Sequence, residues 1–241
     1  MSAAPTSFSG TLRGRPNDHG KPMTLSPPAD VASQRICNQL EAEILDGTLR
    51  PGDRILQDEL ANRFGLSRIP VREALRMLET TGLVSVVSNS GAWVRSVSLE
   101  ECTELYHIRE RLEPLLLERS IARLAPPVLD EIRLLAEDLE AVETLDDFIT
   151  VDRQFHLATY RAAPQGFLMD TVLQLWNVTQ AYRRGITRID DRHQVEILHS
   201  EHRLLADAIT RRQAKDAGEL LGLHIRRSRE SLALHPQVFQ R

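Results

Sequence analysis

The sequence predicts a mainly α-helical protein: an N-terminal winged helix-turn-helix with a small β-hairpin wing, then a C-terminal all-α antiparallel bundle of six or seven helices. Three observations predict this fold. Two segments with helical apolar spacing flank Gly65, a period-two segment follows Gly82, and only helical patterns appear after Leu99. With 241 residues and 41% hydrophobic content, the chain suits one small and one medium domain.

Composition and period set the expected domain boundaries. Residues 1–26 are rich in Ser, Pro, Gly and Thr and have no apolar period, which indicates a disordered tail. Residues 27–97 then form the winged helix-turn-helix domain, and residues 98–241 form the helical domain.

The helix-turn-helix is centred on Gly65. Residues 57–64 form a short helix that can pack on the next one, and Ser67 is a natural N-cap for that second helix. Val71, Leu75 and Leu78 form an apolar face on the second helix. Arg68, Arg72 and Arg76 form a separate cationic face. A basic helix alone is more often a solvated surface than a DNA-reading element, so the pattern leaves both open.

Two further elements complete the predicted N-terminal domain. Residues 31–45 have the apolar period of a supporting first helix, which Gly47 ends. Residues 83–87 and 92–95 alternate as two β-strands around a turn that contains Gly91. A hairpin after the second helix is typical of a winged helix.

Charge and cysteine content restrict the class of protein. The net charge is −4, but DNA contact needs a basic face and not a basic total. Two cysteines, Cys37 and Cys102, provide neither a disulfide framework nor a metal motif. No apolar run is long enough for a membrane span, and no signal peptide is evident. We therefore expect a cytoplasmic protein without membrane contact.

The C-terminal half is predicted to contain six helices. Ser98 and Glu101 form a capping-box pattern that opens the first, and Pro114 is expected to kink it. The second helix begins near residue 126, and the last four span residues 146–161, 167–186, 191–212 and 214–234.

Four polar residues fall within the apolar periods of these helices. Asp152 and His156 are four residues apart, which places a carboxylate and an imidazole on one helix face. His202 and His224 lie on the last two helices. Alone, the Asp152–His156 pair is more typical of a local hydrogen bond than of a metal site.

The N-terminal motifs resemble a known family. Residues 47–55, Leu60-Ala61, 64–68, 70–75 and 82–84 are similar to the DNA-binding domain of GntR-family transcription regulators. The resemblance implies operator contacts at the start of the second helix, on the recognition helix and at the wing tip. Carried over by motif, these are Arg54, Arg68, Arg72 and Gly91.

The C-terminal motifs resemble the FCD effector domain of FadR-type GntR regulators. They are residues 109–113, 152–156 and 201–203, and His224 ahead of a basic tail. In metal-binding members one Asp and three His hold a divalent ion, which implies Asp152, His156, His202 and His224 as ligands. Such donors suit Zn, Ni or Mn and leave open positions on the ion, where a small carboxylate effector could bind.

Other side chains are candidates for the same pocket. The resemblance places Arg109 within reach of a carboxylate effector, and the alternative is a structural ion pair with Glu113. Arg183 and Arg184 could line the cavity, although no motif supports them. His199, one turn before His202, could be a supporting contact. Residues 163–166 depart from the family pattern, which leaves effector contacts there in doubt.

We expect a transcription regulator, a repressor that binds a palindromic operator as a homodimer. The helical domain is expected to form the dimer and to bind a small organic acid, which controls operator affinity. Two alternatives remain at this stage: a metal-dependent hydrolase-like enzyme, and a regulator whose metal is purely structural.

Overall fold

The computed structural model describes residues 29–87, 91–187 and 192–239, and their side chains except those of residues 29, 184–187 and 192–195. The helices are α1 Ala29–Leu45, α2 Gln57–Phe64, α3 Arg68–Thr80, α4 Leu99–Ile121, α5 Pro126–Ala141, α6 Leu145–Tyr160, α7 Phe167–Thr187, α8 Arg192–Thr210 and α9 Ala214–Ala233, followed by a 3-10 helix, Pro236–Phe239. The strands are β1 Arg54–Ile55, β2 Val84–Val87 and β3 Gly91–Val94. This is the predicted fold class. The expected disordered tail, residues 1–26, lies outside the described residues.

Helices α1, α2 and α3 form the predicted three-helix core of the N-terminal part. The apolar face of α3 is buried, with Val71, Leu75 and Leu78 at 1% exposure or less, and it packs against α1. Ser67 occupies the N-cap position of α3, but its hydroxyl accepts no hydrogen bond from the helix. The reason is visible in the sequence, because Pro70 stands where the N–H that a capping serine usually binds would be.

The wing contains one more strand than the sequence predicted. In the described residues the sheet has three antiparallel strands in the order β1-β3-β2, with Arg54 opposite Trp93 and Val84 opposite Val94. A two-residue strand is too short to show a period of two. Arg54 therefore lies on β1 beside the wing, whereas the sequence placed it at the start of the second helix.

Helices α4 to α9 form the predicted bundle. Helix α4 packs along α9, and α5 packs against α6 and α8. The large aromatic side chains Trp176, Tyr160 and Phe155 are completely buried in the core of this bundle. The predicted cap of α4 is present, since the Glu101 amide donates to the Ser98 hydroxyl. Helix α4 continues through Pro114. None of the described helices combines the length and apolar composition needed to cross a bilayer.

Helix α7 joins the bundle to the end of α3. The Gln174 side chain donates to the Thr80 carbonyl at 2.6 Å, and the Asn177 side chain donates to the Thr81 carbonyl at 3.0 Å. Gly82 follows directly, with φ of +79°, and a β-carbon there would lie 3.2 Å from Val178. A positive φ and this close approach both favour glycine. The C-terminal end of α3 thus rests on the helix that also borders the buried site described next.

Candidate functional site

The four predicted metal ligands converge in the centre of the bundle. Helix α6 supplies Asp152 and His156, α8 supplies His202, and α9 supplies His224. Each is at most 4% exposed, and one ligand atom from each residue lies within 4.8 Å of the others. The i,i+4 spacing within α6 aims the first pair at the two other helices. The arrangement joins residues up to 72 positions apart, Asp152 and His224.

Hydrogen bonding fixes how His202 faces Asp152. The His202 Nδ1 atom donates to the Leu198 carbonyl at 2.9 Å, and His202 Nε2 lies 3.1 Å from Asp152 Oδ1. A neutral His202 therefore aims the Nε2 lone pair at a carboxylate oxygen. A proton or a metal cation between these two atoms removes the repulsion between their lone pairs.

His224 is oriented in the same way by a carboxylate. Its Nδ1 donates to Glu201 Oε2 at 3.0 Å, and Arg227 Nε lies 2.9 Å from the other oxygen of Glu201. This leaves Nε2 of His224 as the nitrogen with a lone pair. A carboxylate behind a histidine is a common support for a metal ligand, because it fixes the tautomer and the ring orientation.

His156 gives the clearest sign that the site suits a cation. Neither of its ring nitrogens has a hydrogen-bond partner within the described part of the chain, although the residue is 1% exposed. Its Nε2 lies 3.8 Å from Asp152 Oδ1, beyond hydrogen-bond range. Buried polar nitrogens without a partner are costly, and coordination of a metal ion would satisfy one of them.

The charge states match metal binding. Burial lowers the pKa of His156 and of His224, so both imidazoles are neutral at neutral pH. Burial alone would raise the pKa of Asp152, but the Arg183 guanidinium and the His202 hydrogen bond outweigh it and hold that pKa well below its usual range. Neutral imidazoles and an ionised carboxylate are the forms that bind a metal ion.

Arg109 is engaged in the ion pair that the sequence left as the alternative. Its Nε lies 2.5 Å from Glu113 Oε1, and its Nη1 donates to Thr179 at 2.9 Å. The guanidinium also lies over the Trp176 ring, 4.4 Å from the centroid. An effector role for Arg109 stays a prediction, and it would require Arg109 to share these contacts.

Arg183 reaches the site directly, which no sequence motif indicated. Its Nη2 lies 2.5 Å from Asp152 Oδ2, and its guanidinium lies 4.8 Å from the Trp176 ring centroid. The one available signal was its position seven residues after Trp176 on the buried face of α7. The side chain of Arg184 lies outside the described residues. His199 contacts Phe148 one turn from His202.

The predicted DNA contacts fall on two surfaces. Arg68 and Arg72 are exposed on the first turns of α3, and Arg68 Nη2 donates to Asp58 of α2 at 2.7 Å. Arg54 lies over the Trp93 ring at the wing, 5.6 Å from the centroid. Gly91 has φ of +128°, and a β-carbon there would lie 3.5 Å from Arg54 Nε. The structure therefore brings Arg54 and Gly91 together, and it places Arg72 one turn after Arg68.

The fold of the N-terminal part defines the class of protein: a winged helix-turn-helix with arginines on its second helix is the architecture of a DNA-binding transcription regulator. Residues 32–94 match the gntR family of bacterial regulatory proteins, and residues 104–227 match the FCD domain. The chain belongs to the GntR family, in the group whose helical part is an FCD domain.

Curated relatives are regulators of the same kind. YdhC, an HTH-type transcriptional regulator of Bacillus subtilis (strain 168), is 30% identical over 81% of this chain and 88% of its own. GlaR, an HTH-type transcriptional repressor of Escherichia coli (strain K12), is 28% identical over 77% of this chain and 89% of its own. The protein is thus a transcription regulator and not an enzyme, which removes the hydrolase-like alternative.

Solved structures share the fold. A GntR transcriptional regulator from Rhodococcus sp. RHA1 matches with a TM-score of 0.69 at 26% identity, over 84% of this chain and 98% of that one. McbR/YncC of E. coli matches with a TM-score of 0.73 at 24% identity, over 84% of this chain and 97% of that one.

Proposed function

We propose that the protein is a cytoplasmic repressor that binds a palindromic operator as a homodimer and that a small carboxylate effector controls its operator affinity. Residues 27–97 read the DNA, and residues 98–241 bind the effector and form the dimer. The observation that carries the proposal is the buried Asp/His group, in which one ligand atom from each of the four residues lies within 4.8 Å of the others.

The effector site is built on a divalent ion. Asp152, His156, His202 and His224 hold it, and an ion with one carboxylate and three imidazole ligands keeps open positions for an effector carboxylate. Zn, Ni and Mn all accept these donors. The unpartnered nitrogens of His156 and the facing lone pairs of His202 and Asp152 support this assignment.

Operator binding uses the exposed arginines. Arg68 and Arg72 enter the major groove on α3, where an arginine forms a bidentate pair with guanine. Arg54 and Gly91 approach the adjacent DNA from the wing, because Gly91 presents bare backbone there. Two copies related by a twofold axis bind half-sites about one helical turn apart.

Helix α7 couples the two sites. Its residues Gln174 and Asn177 hold the last carbonyls of α3, and Arg183 on the same helix pairs with Asp152. A change in the ion or effector at Asp152 therefore acts on the helix that positions α3. Such coupling is usually worth about 1–3 kcal/mol and is reciprocal, so operator DNA weakens the binding of an inducer.

Metal analysis tests the proposal. Purified full-length protein is compared with single alanine variants of the four ligands and with a His107→Ala control, which removes an exposed histidine of α4. We expect about one ion per chain in the wild type and the control, and a large loss in the four variants. Equal metal content in all six proteins would contradict the assigned site.

The structural-metal alternative predicts a different pattern. Chelation would then lower the free energy of unfolding without changing carboxylate binding. A titration of carboxylates into the metal-loaded and the chelated protein separates the two cases, because the proposed site binds them only when the ion is present.

A further inference from the structure

We infer that Arg153 is a positioning residue between the two domains, which holds Asn177 in this structure and turns towards Glu41 of α1 when a cation binds to the Asp/His group. The inference rests on the proposed function and deepens it, because it assigns the regulation of the operator to one guanidinium. Arg153 directly follows Asp152 on α6. A helix turns by about 100° per residue, so Arg153 leaves α6 on a different side from the candidate ligand.

Arg153 begins a short chain of hydrogen bonds that ends at α3. Its Nη2 donates to the side-chain oxygen of Asn177 at 2.7 Å, and the side-chain nitrogen of Asn177 donates to the Thr81 carbonyl at 3.0 Å. Asn177 is 8% exposed, so water competes weakly for these bonds. Because Arg153 occupies the amide oxygen, it fixes the orientation in which the amide nitrogen reaches the residue after α3.

Arg153 is a charge that lacks a bonded counterion. Its Nη1 is buried and has no hydrogen-bond partner among the described residues, and the partner of its Nη2, Asn177, is neutral. Burial lowers the pKa of Arg153 to about 10, so the side chain stays charged at neutral pH. The carboxylate of Glu41 attracts it across the domain boundary without a hydrogen bond. The free nitrogen and this distant carboxylate give the guanidinium a second position.

A cation at the Asp/His group changes the balance of charge on Arg153. Arg109 and Arg183 already repel it, and Glu41 attracts it. Arg183 is paired with Asp152 here, so coordination of Asp152 leaves Arg183 with more uncompensated positive charge. Repulsion between like charges is strong where water is excluded. Arg153 is therefore driven away from the ligand group and towards Glu41.

This movement reaches the DNA-binding domain by two contacts. Asn177 loses the donor that orients its amide, which weakens its bond to the Thr81 carbonyl. A pair between Arg153 and Glu41 joins α6 to α1, and α1 packs against both α3 and α7. The position of α3 on the bundle thus depends on which of the two partners Arg153 contacts.

Operator binding by the full-length protein tests the inference, with zinc as the probe and an operator fragment selected from random DNA. Fluorescence anisotropy gives the dissociation constants of the zinc-loaded and the chelated protein, and metal analysis confirms the loading. We expect the two constants to differ by at least about fivefold in the wild type and by less than about twofold in Arg153→Met and Glu41→Gln. The matched controls, Arg133→Met and Glu104→Gln, replace exposed residues of the bundle and should keep the wild-type ratio.

The outcomes distinguish this inference from the function on which it rests. A wild-type difference that persists in Arg153→Met would overturn the role of Arg153 and leave the proposed function standing. Equal constants in the zinc-loaded and the chelated wild type would overturn the inference together with the proposed coupling of the two sites.

A double variant and a stability measurement separate positioning from a structural role. If Arg153 acts through Asn177, combining Arg153→Met with Asn177→Ala should change the ratio no more than either change alone. Arg153→Met should also lower the urea midpoint much less than Arg109→Met, which leaves Glu113 buried without its counterion. Changes in the ratio that add, or equal losses of stability with an unchanged ratio, would overturn the inference.

Discussion

Glu113 shows how much of this bundle depends on one buried carboxylate. It has no exposed surface and accepts hydrogen bonds from Arg109, from the Tyr160 hydroxyl at 2.6 Å and from the Trp176 ring nitrogen at 3.0 Å. These partners lie on α4, α6 and α7. The carboxylate therefore fixes three helices around the candidate metal centre.

Truncation of Glu113 should be strongly destabilising. Glu113→Ala leaves the Arg109 charge buried without its counterion, which typically costs about 3–5 kcal/mol. Urea unfolding of the protein measures the loss, and the exposed Glu104→Ala on the same helix should change stability by less than about 0.5 kcal/mol. A loss near that of the control would show that Arg109 finds another partner or reaches water.

The two cysteines should be inert in the folded protein. Burial raises the pKa of Cys102 to about 12 and also raises the pKa of Cys37, so little thiolate forms at pH 8. A chromogenic disulfide reagent should label neither thiol before unfolding and both in denaturant. Rapid labelling of the native protein would mean that one of these sites opens locally.

At the scale of the element, α3 is held at both ends by residues outside it. In the first turn of α3, Arg68 pairs with Asp58 of α2. At the other end of α3, the Thr80 carbonyl accepts a hydrogen bond from Gln174 of α7. The same helix carries the arginines assigned to the operator. The N-terminal end of α3 therefore leads to a prediction on the specificity of DNA binding. The C-terminal end leads to a prediction on the coupling between the candidate metal centre and operator binding.

Arg68 and Asp58 should affect DNA binding in opposite directions. Arg68→Ala should lower operator affinity by about 1–3 kcal/mol. Asp58→Ala removes a negative charge beside the phosphates, so affinity for unrelated DNA should rise and the specificity ratio should fall. Fluorescence anisotropy at fixed salt with operator and non-operator fragments measures both, with Arg111→Ala on the helical domain as the control. Weaker non-specific binding by Asp58→Ala would show that Asp58 orients Arg68 for phosphate contact.

Loss of the α7 contacts should uncouple the two sites. The double variant Gln174→Ala and Asn177→Ala leaves the metal ligands and the exposed arginines unchanged, so metal binding and operator binding should persist. The ratio of operator dissociation constants measured with and without the metal should move towards one, while Gln154→Ala, on the exposed side of α6, should retain the wild-type ratio. An unchanged ratio in the double variant would place the coupling elsewhere.

At the scale of the whole molecule, a metal ion bound at the bundle centre should stabilise the protein. A ligand at about 100 times its dissociation constant adds about 2.7 kcal/mol if it binds only the folded state. Thermal unfolding with and without added zinc measures the shift. Asp152→Asn should reduce it, because the ion loses its anionic ligand, whereas His107→Ala should leave it unchanged.

Local periodicity explains which parts of the fold could be predicted. The bounds of α2 and the six helices of the bundle follow from apolar spacing and caps, such as Ser98. The four candidate ligands could be named because their motifs resemble a known domain, although spacing alone left Asp152 and His156 undecided. In each case the signal lies within a few consecutive residues.

The remaining features depend on residues far apart in the chain. The pairing of β1 with β3, the ion pair of Arg183 with Asp152 and the amide contacts of Asn177 join segments that have no shared period. The missing cap at Ser67 was the exception, because Pro70 is visible in the sequence and lacks the N–H required. Tertiary packing decided the rest.

The close approach at Gly82 has a consequence for genetics. Any side chain at this position would contact Val178 and would have to adopt an unfavourable φ. A substitution should therefore disturb the packing of the end of α3 against α7 and leave the residues of both binding sites unchanged. A genetic screen for protein variants that still bind the operator, but whose operator binding no longer responds to metal or effector, should therefore recover substitutions at residue 82. Such alleles would change a residue that is neither an assigned DNA contact nor a candidate metal ligand.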